Sequence, residues 1–106
     1  MVDVTVMGAG AFGLTVAWSC AARGATVRVI DPFGLGSGSS GGLVGALAPH
    51  TPDNWNDKKE FQFQSLTMAP EYWSKIEKTG GVGTGYAQCG RLQPIANERE
   101  LDLARE

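Results

Sequence analysis

The sequence predicts an α/β fold built on a strand–helix–strand unit with parallel strands. Three observations carry that expectation. Val2, Val4 and Val6 alternate with other residues at the start of the chain, as the buried face of a strand does. Glycines at positions 8, 10 and 13 follow at once and give way to apolar residues at helical spacing. A second apolar run, "ATVRVID", then closes on Asp31. Together these occupy about thirty residues, the length of a βαβ unit.

The elements follow in order. Leu14, Ala17, Trp18 and Ala21 recur at helical spacing, and Gly24 sits where a helix often ends in a left-handed residue. After Asp31 comes a Gly/Ser segment, "DPFGLGSGSSGGLVGALAPH", with glycines at 34, 36, 38, 41, 42 and 45. The stretch "NWNDKKEFQFQSLTMAPEYWSKIEKTGG" reads as helical, with Phe61, Leu66, Ala69, Trp73 and Ile76 on a shared face. Pro70 lacks an N–H and is expected to kink that helix or begin a second one. Lys75 and Lys78 suit its last turn, and Gly80-Gly81 its end. "GYAQCGRLQPIA" reads as one or two short strands. "NERELDLARE" begins a final helix, with Asn97 as cap and Glu100 completing a capping box.

Composition limits the function. The chain has 106 residues, 42% of them hydrophobic and 19% charged, which suits one small domain or part of a larger one. A net charge of −2 gives no electrostatic basis for binding nucleic acid or an anionic membrane. No stretch approaches membrane-spanning length, and no signal peptide is visible, since Asp3 interrupts the opening apolar run. Cys20 and Cys89 lack metal-ligand spacing, and Cys20 falls in an apolar helical pattern, as a buried thiol would. A reducing, cytoplasmic setting is expected, with no metal.

"GAGAFG" matches G-x-G-x-x-G, and each glycine has a physical task. Gly8 permits the tight turn out of the strand. Gly10 lets a pyrophosphate approach the backbone without meeting a Cβ. Gly13 lets the helix pack closely on the sheet. The helix N-terminus then offers unpaired N–H groups and about half a positive charge to phosphates. Asp31, at the end of the second strand, is where a ribose hydroxyl would be gripped, and its charge argues against a 2′-phosphate there. The plainer alternative is a structural glycine turn, with Asp31 merely starting the next loop.

The second glycine cluster is too glycine-rich for the amphipathic helix of an ordinary nicotinamide domain. It suggests backbone pressed against a flat or charged ligand, with serine hydroxyls as hydrogen-bonding groups. The apolar "LVGALAP" that follows is not what a solvated linker needs.

With "VMGAGAFGLTVAWSCAARGATVRVID", "GSGSSGGLVGALAP" and "GYAQCGRLQPIA" in this order, the chain resembles the amino-terminal part of the FAD-dependent oxidoreductases of the D-amino-acid oxidase and glycine oxidase class. The resemblance implies a Rossmann-like, glutathione-reductase-like FAD fold. It would be incomplete here and carry the start of a substrate-domain sheet, residues 1–80 belonging to the FAD-binding domain and 81–106 to the substrate domain. It implies that Gly8, Gly10 and Gly13, with the N–H groups of Ala11 and Phe12, face the FAD pyrophosphate. Asp31 would hold the adenosine ribose with Pro32 beside it, Ser39 and Ser40 would touch the phosphates, and the backbone of Val44, Gly45 and Ala46 would run past the isoalloxazine ring. Some members of the class tether FAD through a histidine at the position of Gly42, so non-covalent FAD is expected here. Members of the class are several times longer, so the chain reads as an amino-terminal fragment, inactive by itself.

In that class an amine or amino acid gives hydride to flavin, so a small amine or amino acid is the expected substrate. The candidates for a catalytic role are His50, the only histidine, and Arg91, which could meet a carboxylate; a polar surface histidine and a solvated or structural arginine are the plainer readings. Trp55 and Trp73 could line a pocket, although Trp73 also fits a helical core. An NAD-dependent dehydrogenase domain and a non-catalytic nucleotide-binding module are the competing functions.

Overall fold

Alternation at the start of the chain produces strand β1, Val4–Met7, whose Val4 and Val6 are half-buried while Thr5 and Met7 face out. Helix α1, Ala11–Ala21, follows, and strand β2, Val27–Ile30, lies parallel to β1 with Val4 opposite Val27 and Met7 opposite Ile30. The computed structural model describes residues 1–43 and 45–105. They form two compact units, Met1–Ala46 and Leu47–Glu106.

In the first unit α1 lies against both strands. The strand starts are stapled together: the Asp3 and Val4 amides donate to the Thr26 carbonyl, and the Thr26 amide donates to Asp3 Oδ2 at 2.8 Å. Gly24 turns the chain out of α1 at φ +90°, as its place after the helix predicts. The buried side of α1 differs from the expected one. Ala17 is buried and Gly13 and Cys20 half-buried, whereas Leu14 and Ala21 are exposed. Gly13 explains the choice. A Cβ there would stand 2.0 Å from the Gly8 carbonyl oxygen, so the helix sits too close to the strand end for any side chain at that point. Small residues at i, i+4 and i+7 therefore form the seam. Cys20 is half-buried rather than fully buried.

The second unit is organised by helix α2, Asp57–Gly80. Asn56 Oδ1 accepts from the Lys59 amide, and Asp57 and Glu60 lie in the first turn, where the helix dipole favours negative charge. Gly81, at φ +68°, closes the last turn in the left-handed region. The half-buried and buried face is Lys59, Gln62, Leu66, Ala69, Trp73 and Ile76. Phe61 is exposed, and Gln62 takes the place expected of it because its Oε1 accepts from the His50 amide at 3.1 Å. Pro70 lies inside α2 without starting a new helix. It leaves the Leu66 carbonyl without its i+4 donor, and the apolar face continues on both sides of that gap.

The strands expected over 85–96 do not form. A strand needs a partner for its N–H and C=O groups, and among the described residues no strand lies beside this segment. Just before it, Thr84 is anchored to α2. Glu77 Oε1 accepts from both Thr84 N, at 2.8 Å, and Thr84 Oγ1, at 2.7 Å, and these two bonds hold the Glu77 carboxyl below its ordinary pKa. Helix α3, Glu98–Arg105, begins where the capping pattern places it: Asn97 Oδ1 accepts from the Glu100 amide at 3.0 Å. The reciprocal bond reaches one residue further back than the ideal box, since Glu100 Oε2 accepts from the Ala96 amide.

The Gly13 seam makes a direct prediction. Gly13→Ala drives a methyl into backbone that cannot rotate aside, and overpacking of this kind costs about 1–3 kcal/mol or more. Urea unfolding of the full chain should show that loss as a lowered midpoint, whether or not any ligand is present.

Candidate functional site

The site grows out of the turn between β1 and α1. β1 ends at Met7, and Gly8 turns at φ +104°, a region open to glycine and strained for other residues. The next residues are tied down from two directions. From β2, the Ile30 carbonyl accepts from the Gly8 amide at 2.8 Å, and Asp31 Oδ2 accepts from the Ala9 amide at 2.8 Å. From the Gly/Ser segment, the Gly36 amide donates to the Ala9 carbonyl at 2.9 Å, and Ser40 Oγ accepts from the Ala11 amide at 2.9 Å. Ala9, which the sequence did not single out, is 2% exposed and uses both its backbone groups in this lattice of bonds. The signal for it was only indirect, an Ala between two motif glycines.

The Gly/Ser segment folds back on itself as it reaches the turn. Ser39–Gly41 form one turn of 3₁₀ helix. A Cβ on Gly41 would stand 2.2 Å from the Gly36 carbonyl oxygen, so this loop closes only with bare backbone. Gly45 is different. A Cβ there meets nothing within 4 Å, and its backbone is not left-handed. Among the described residues no atom accounts for the glycine at 45. Ala46 is exposed beside it, and Val44 lies outside the described residues.

The electrostatics of α1 suit an anion. Its N-cap, Gly10, offers no side chain, and no acidic residue stands in its first turn. The first turns of α2 and α3 carry Asp57 with Glu60 and Glu98 with Glu100. The Phe12 and Gly13 amides have no carbonyl one turn earlier within the helix to receive them. Phe12 itself is 91% exposed, so its ring does not cover this end of the helix. A pyrophosphate therefore fits the residues present: bare backbone, first-turn amides, a positive helix end and serine hydroxyls.

Asp31 serves the protein as well as any ligand. Oδ2 receives Ala9 N, and Oδ1 receives Phe33 N at 2.8 Å and Gly34 N at 3.0 Å. The Ala9 amide first, then those of Phe33 and Gly34, hold its carboxyl below the ordinary value. An ionised carboxylate has about four acceptor positions, so these bonds leave room for one ribose hydroxyl. Pro32 lies between Asp31 and the Phe33 amide that Asp31 engages. Ser39 is exposed at the head of the 3₁₀ turn.

His50 and Arg91 belong to the second unit. Arg91 Nη1 donates to the Pro49 carbonyl at 3.4 Å, next to His50, and both side chains are exposed. A recess beside His50, lined by Trp55, Lys59, Gln62, Phe63 and Leu66, has a volume of about 10 Å³, room for one water at most. At that size it is a packing gap between these side chains. Lys59 stitches its rim: Nζ donates to the carbonyls of Thr51, at 2.9 Å, and Asp53, and pairs with the Asp53 carboxylate at 3.7 Å. Trp55 stacks edge-on against Phe63 with ring centres 6.0 Å apart. Trp73 packs edge-on against Tyr72 in α2.

The family model described as FAD dependent oxidoreductase matches residues 3–106, and the chain belongs to that family. It is 30% identical over 99 residues to the bifunctional protein ThiO/ThiG of Trichormus variabilis, a match covering 92% of this chain and 15% of that protein. It is 30% identical over 113 residues to a subunit of the opine oxidase of Rhizobium meliloti, covering 99% of this chain and 29% of that one. It is 37% identical over 104 residues to the tRNA 5-methylaminomethyl-2-thiouridine biosynthesis bifunctional protein MnmC of Hydrogenovibrio crunogenus, covering 94% and 15%. The chain thus spans 15–29% of the length of these curated relatives. No solved structure matches it.

The bonds to Asp31 set a pH dependence. A carboxyl whose folded pKa lies below its unfolded value contributes stability above the unfolded value, and loses it as pH falls through the folded pKa. Asp31 starts from an ordinary value of 3.8 and is lowered. The glycine turn is therefore expected to stay intact down to about pH 4 and to loosen below it. NMR should show the Ala9, Phe33 and Gly34 amides shifting together on acid titration, with one midpoint below that of an unfolded aspartate.

Proposed function

We propose that this member of the FAD-dependent oxidoreductase family supplies the pyrophosphate and adenosine half of an FAD site in an enzyme that oxidises the C–N bond of a small amine or amino acid. The observation that carries the reading is the joining of the two glycine clusters at the N-terminus of α1, through the Ala9 carbonyl, which accepts from the Gly36 amide, and the Ala11 amide, which donates to Ser40 Oγ. In this reading Gly8, Gly10 and Gly13, with the Phe12 amide, face the pyrophosphate; the Ala11 amide, expected to join them, is taken by Ser40 Oγ instead. Ser39 and Ser40 add hydroxyls to the phosphates, and Asp31, beside Pro32, takes a ribose hydroxyl in its remaining acceptor position. The backbone at 44–46 passes the isoalloxazine ring. A glycine at 45 that no atom of the described residues requires supports that placement.

The cofactor, when bound, supplies the two-electron acceptor for hydride from the carbon next to nitrogen, and the resulting imine is hydrolysed by water. This chain's residues bind and orient. The name of the opine oxidase relative agrees with an oxidation of this kind. FAD is held without a covalent bond in this reading, since Gly42 has no side chain to form one. Residues 1–80 belong to the FAD-binding domain and 81–106 open the substrate domain, and turnover needs more of the protein than this chain. A cytoplasmic, reducing setting belongs to the same reading, and Cys20 and Cys89 are free thiols.

A nicotinamide cofactor is the competing chemistry. Against it, the backbone after Asp31 closes into a 3₁₀ turn on the Ala9 and Ala11 backbone. Purified full-length protein should be yellow, and anaerobic addition of small amino acids and amines should bleach its flavin absorbance. A colourless protein that binds NAD and leaves FAD in the filtrate would defeat the reading. Gly45→Val tests the ring placement separately. It should shift stability by no more than about 0.5 kcal/mol, as at an unobstructed surface position. Flavin retained on gel filtration should nevertheless fall below a tenth of the wild-type amount.

A further inference from the structure

Helix α1 is capped from a distance. Its N-cap residue, Gly10, has no side chain, whereas α2 and α3 are capped by the side chains of Asn56 and Asn97, immediately before them. For α1 the oxygen comes from Ser40, whose Oγ accepts from the Ala11 amide at 2.9 Å across 29 positions of sequence. A Cβ built on Gly10 would stand 3.0 Å from that Oγ and 3.8 Å from Ser40 Cβ. The obstruction is thus the hydroxyl itself. Relief needs that hydroxyl to give by a few tenths of an ångström, and the hydroxyl is the group that holds the Ala11 amide.

We propose that Ser40 caps α1 in trans and that Gly10 is bare in order to admit that hydroxyl, so that the two residues act as one positioning device. A serine oxygen that accepts from an amide still has its own proton to donate. Ser40 therefore fixes the first turn of α1 and keeps an O–H for a phosphate oxygen. A Cβ at Gly10 would crowd the Ser40 hydroxyl within the protein itself, before any phosphate arrives. The phosphate part rests on the FAD reading above; the capping part does not.

The test is a double-mutant cycle in the full chain with Gly10→Ala, Ser40→Ala and both together. The readouts are the unfolding midpoint without cofactor, hydrogen exchange of the Ala11 amide, and the dissociation constants of FAD and ADP. Ser40→Ala should speed Ala11 exchange roughly fivefold, the effect of losing a typical N-cap. Gly10→Ala should lower the midpoint and weaken FAD and ADP binding in the Ser40 background, and do markedly less of both when Ser40 is already alanine. Equal, additive effects in the two backgrounds would overturn the proposal, because Gly10 would then be bare for the phosphate alone. Folding of Gly10→Ala only in the Ser40→Ala background would be the strongest form of the expected coupling. If it folds in neither, the Ala11 exchange rate in Ser40→Ala decides, and an unchanged rate sinks the idea. If wild-type protein takes up no FAD, the flavin reading fails, while the stability and exchange arms still decide the capping role.

Discussion

Two side-chain oxygens hold the candidate site together, one on Asp31 and one on Ser40. Each accepts a backbone amide of the turn after β1, Ala9 in one case and Ala11 in the other. Those amides belong to residues that flank Gly10. Without the carboxylate, the end of β2 is no longer tied to the glycine turn through Ala9. Without the hydroxyl, the first turn of α1 loses its cap. The Gly36 amide on the Ala9 carbonyl completes the arrangement. These bonds are short, directional and made by groups that otherwise lie unpaired, so they fix backbone positions that side-chain packing here could not.

Packing could not do it because the buried apolar residues are small. Ala9 and Ala17 in the first unit and Ala69 in the second are buried, while Phe12, Phe33, Leu35 and Leu43 are largely exposed. Close approach of backbone takes the place of a large core around the glycine turn, as the clashes at Gly13 and Gly41 show. Small residues let α1 sit low over the strand end, and that height sets where its first-turn amides stand. An anion-binding helix end is useful only when its amides are held still, since one such terminus contributes only about 0.3–2 kcal/mol. The rest of a nucleotide's affinity has to come from groups placed around it, and the Gly/Ser segment brings those groups to this point.

Much of this was legible in the sequence. The alternating valines, the glycine spacing and the acid at 31 fixed the βαβ unit almost to the residue, because strand pleat, turn geometry and helix start are local properties. The helix-ending Gly81 and the cap Asn97 were readable for the same reason, whereas Asn56 as the cap of α2 was not read from the sequence. The expectations that failed depended on distant partners. Phe61 looked like a core residue and is exposed, because Gln62 has the backbone of His50 to bind. The segment 85–96 has strand-like residues and, among the described residues, no strand beside it, so it stays irregular. Pro70 carried a real penalty, but a penalty confined to one carbonyl did not divide a helix whose apolar face continues past it.

By itself, then, the sequence determined the presence of an amide-rich turn, its sign of charge and the chemical class of molecule that matches it, since these follow from residue types at short spacing. Tertiary structure alone decided that Ser40 reaches Ala11 and that Asp31 turns both oxygens onto backbone. It also separated glycines that the fold requires, such as Gly13 and Gly41, from Gly45, which the fold does not. The reason is physical: which atom fills the space beside a missing Cβ depends on chain that returns from many residues away, and no local pattern records that distance.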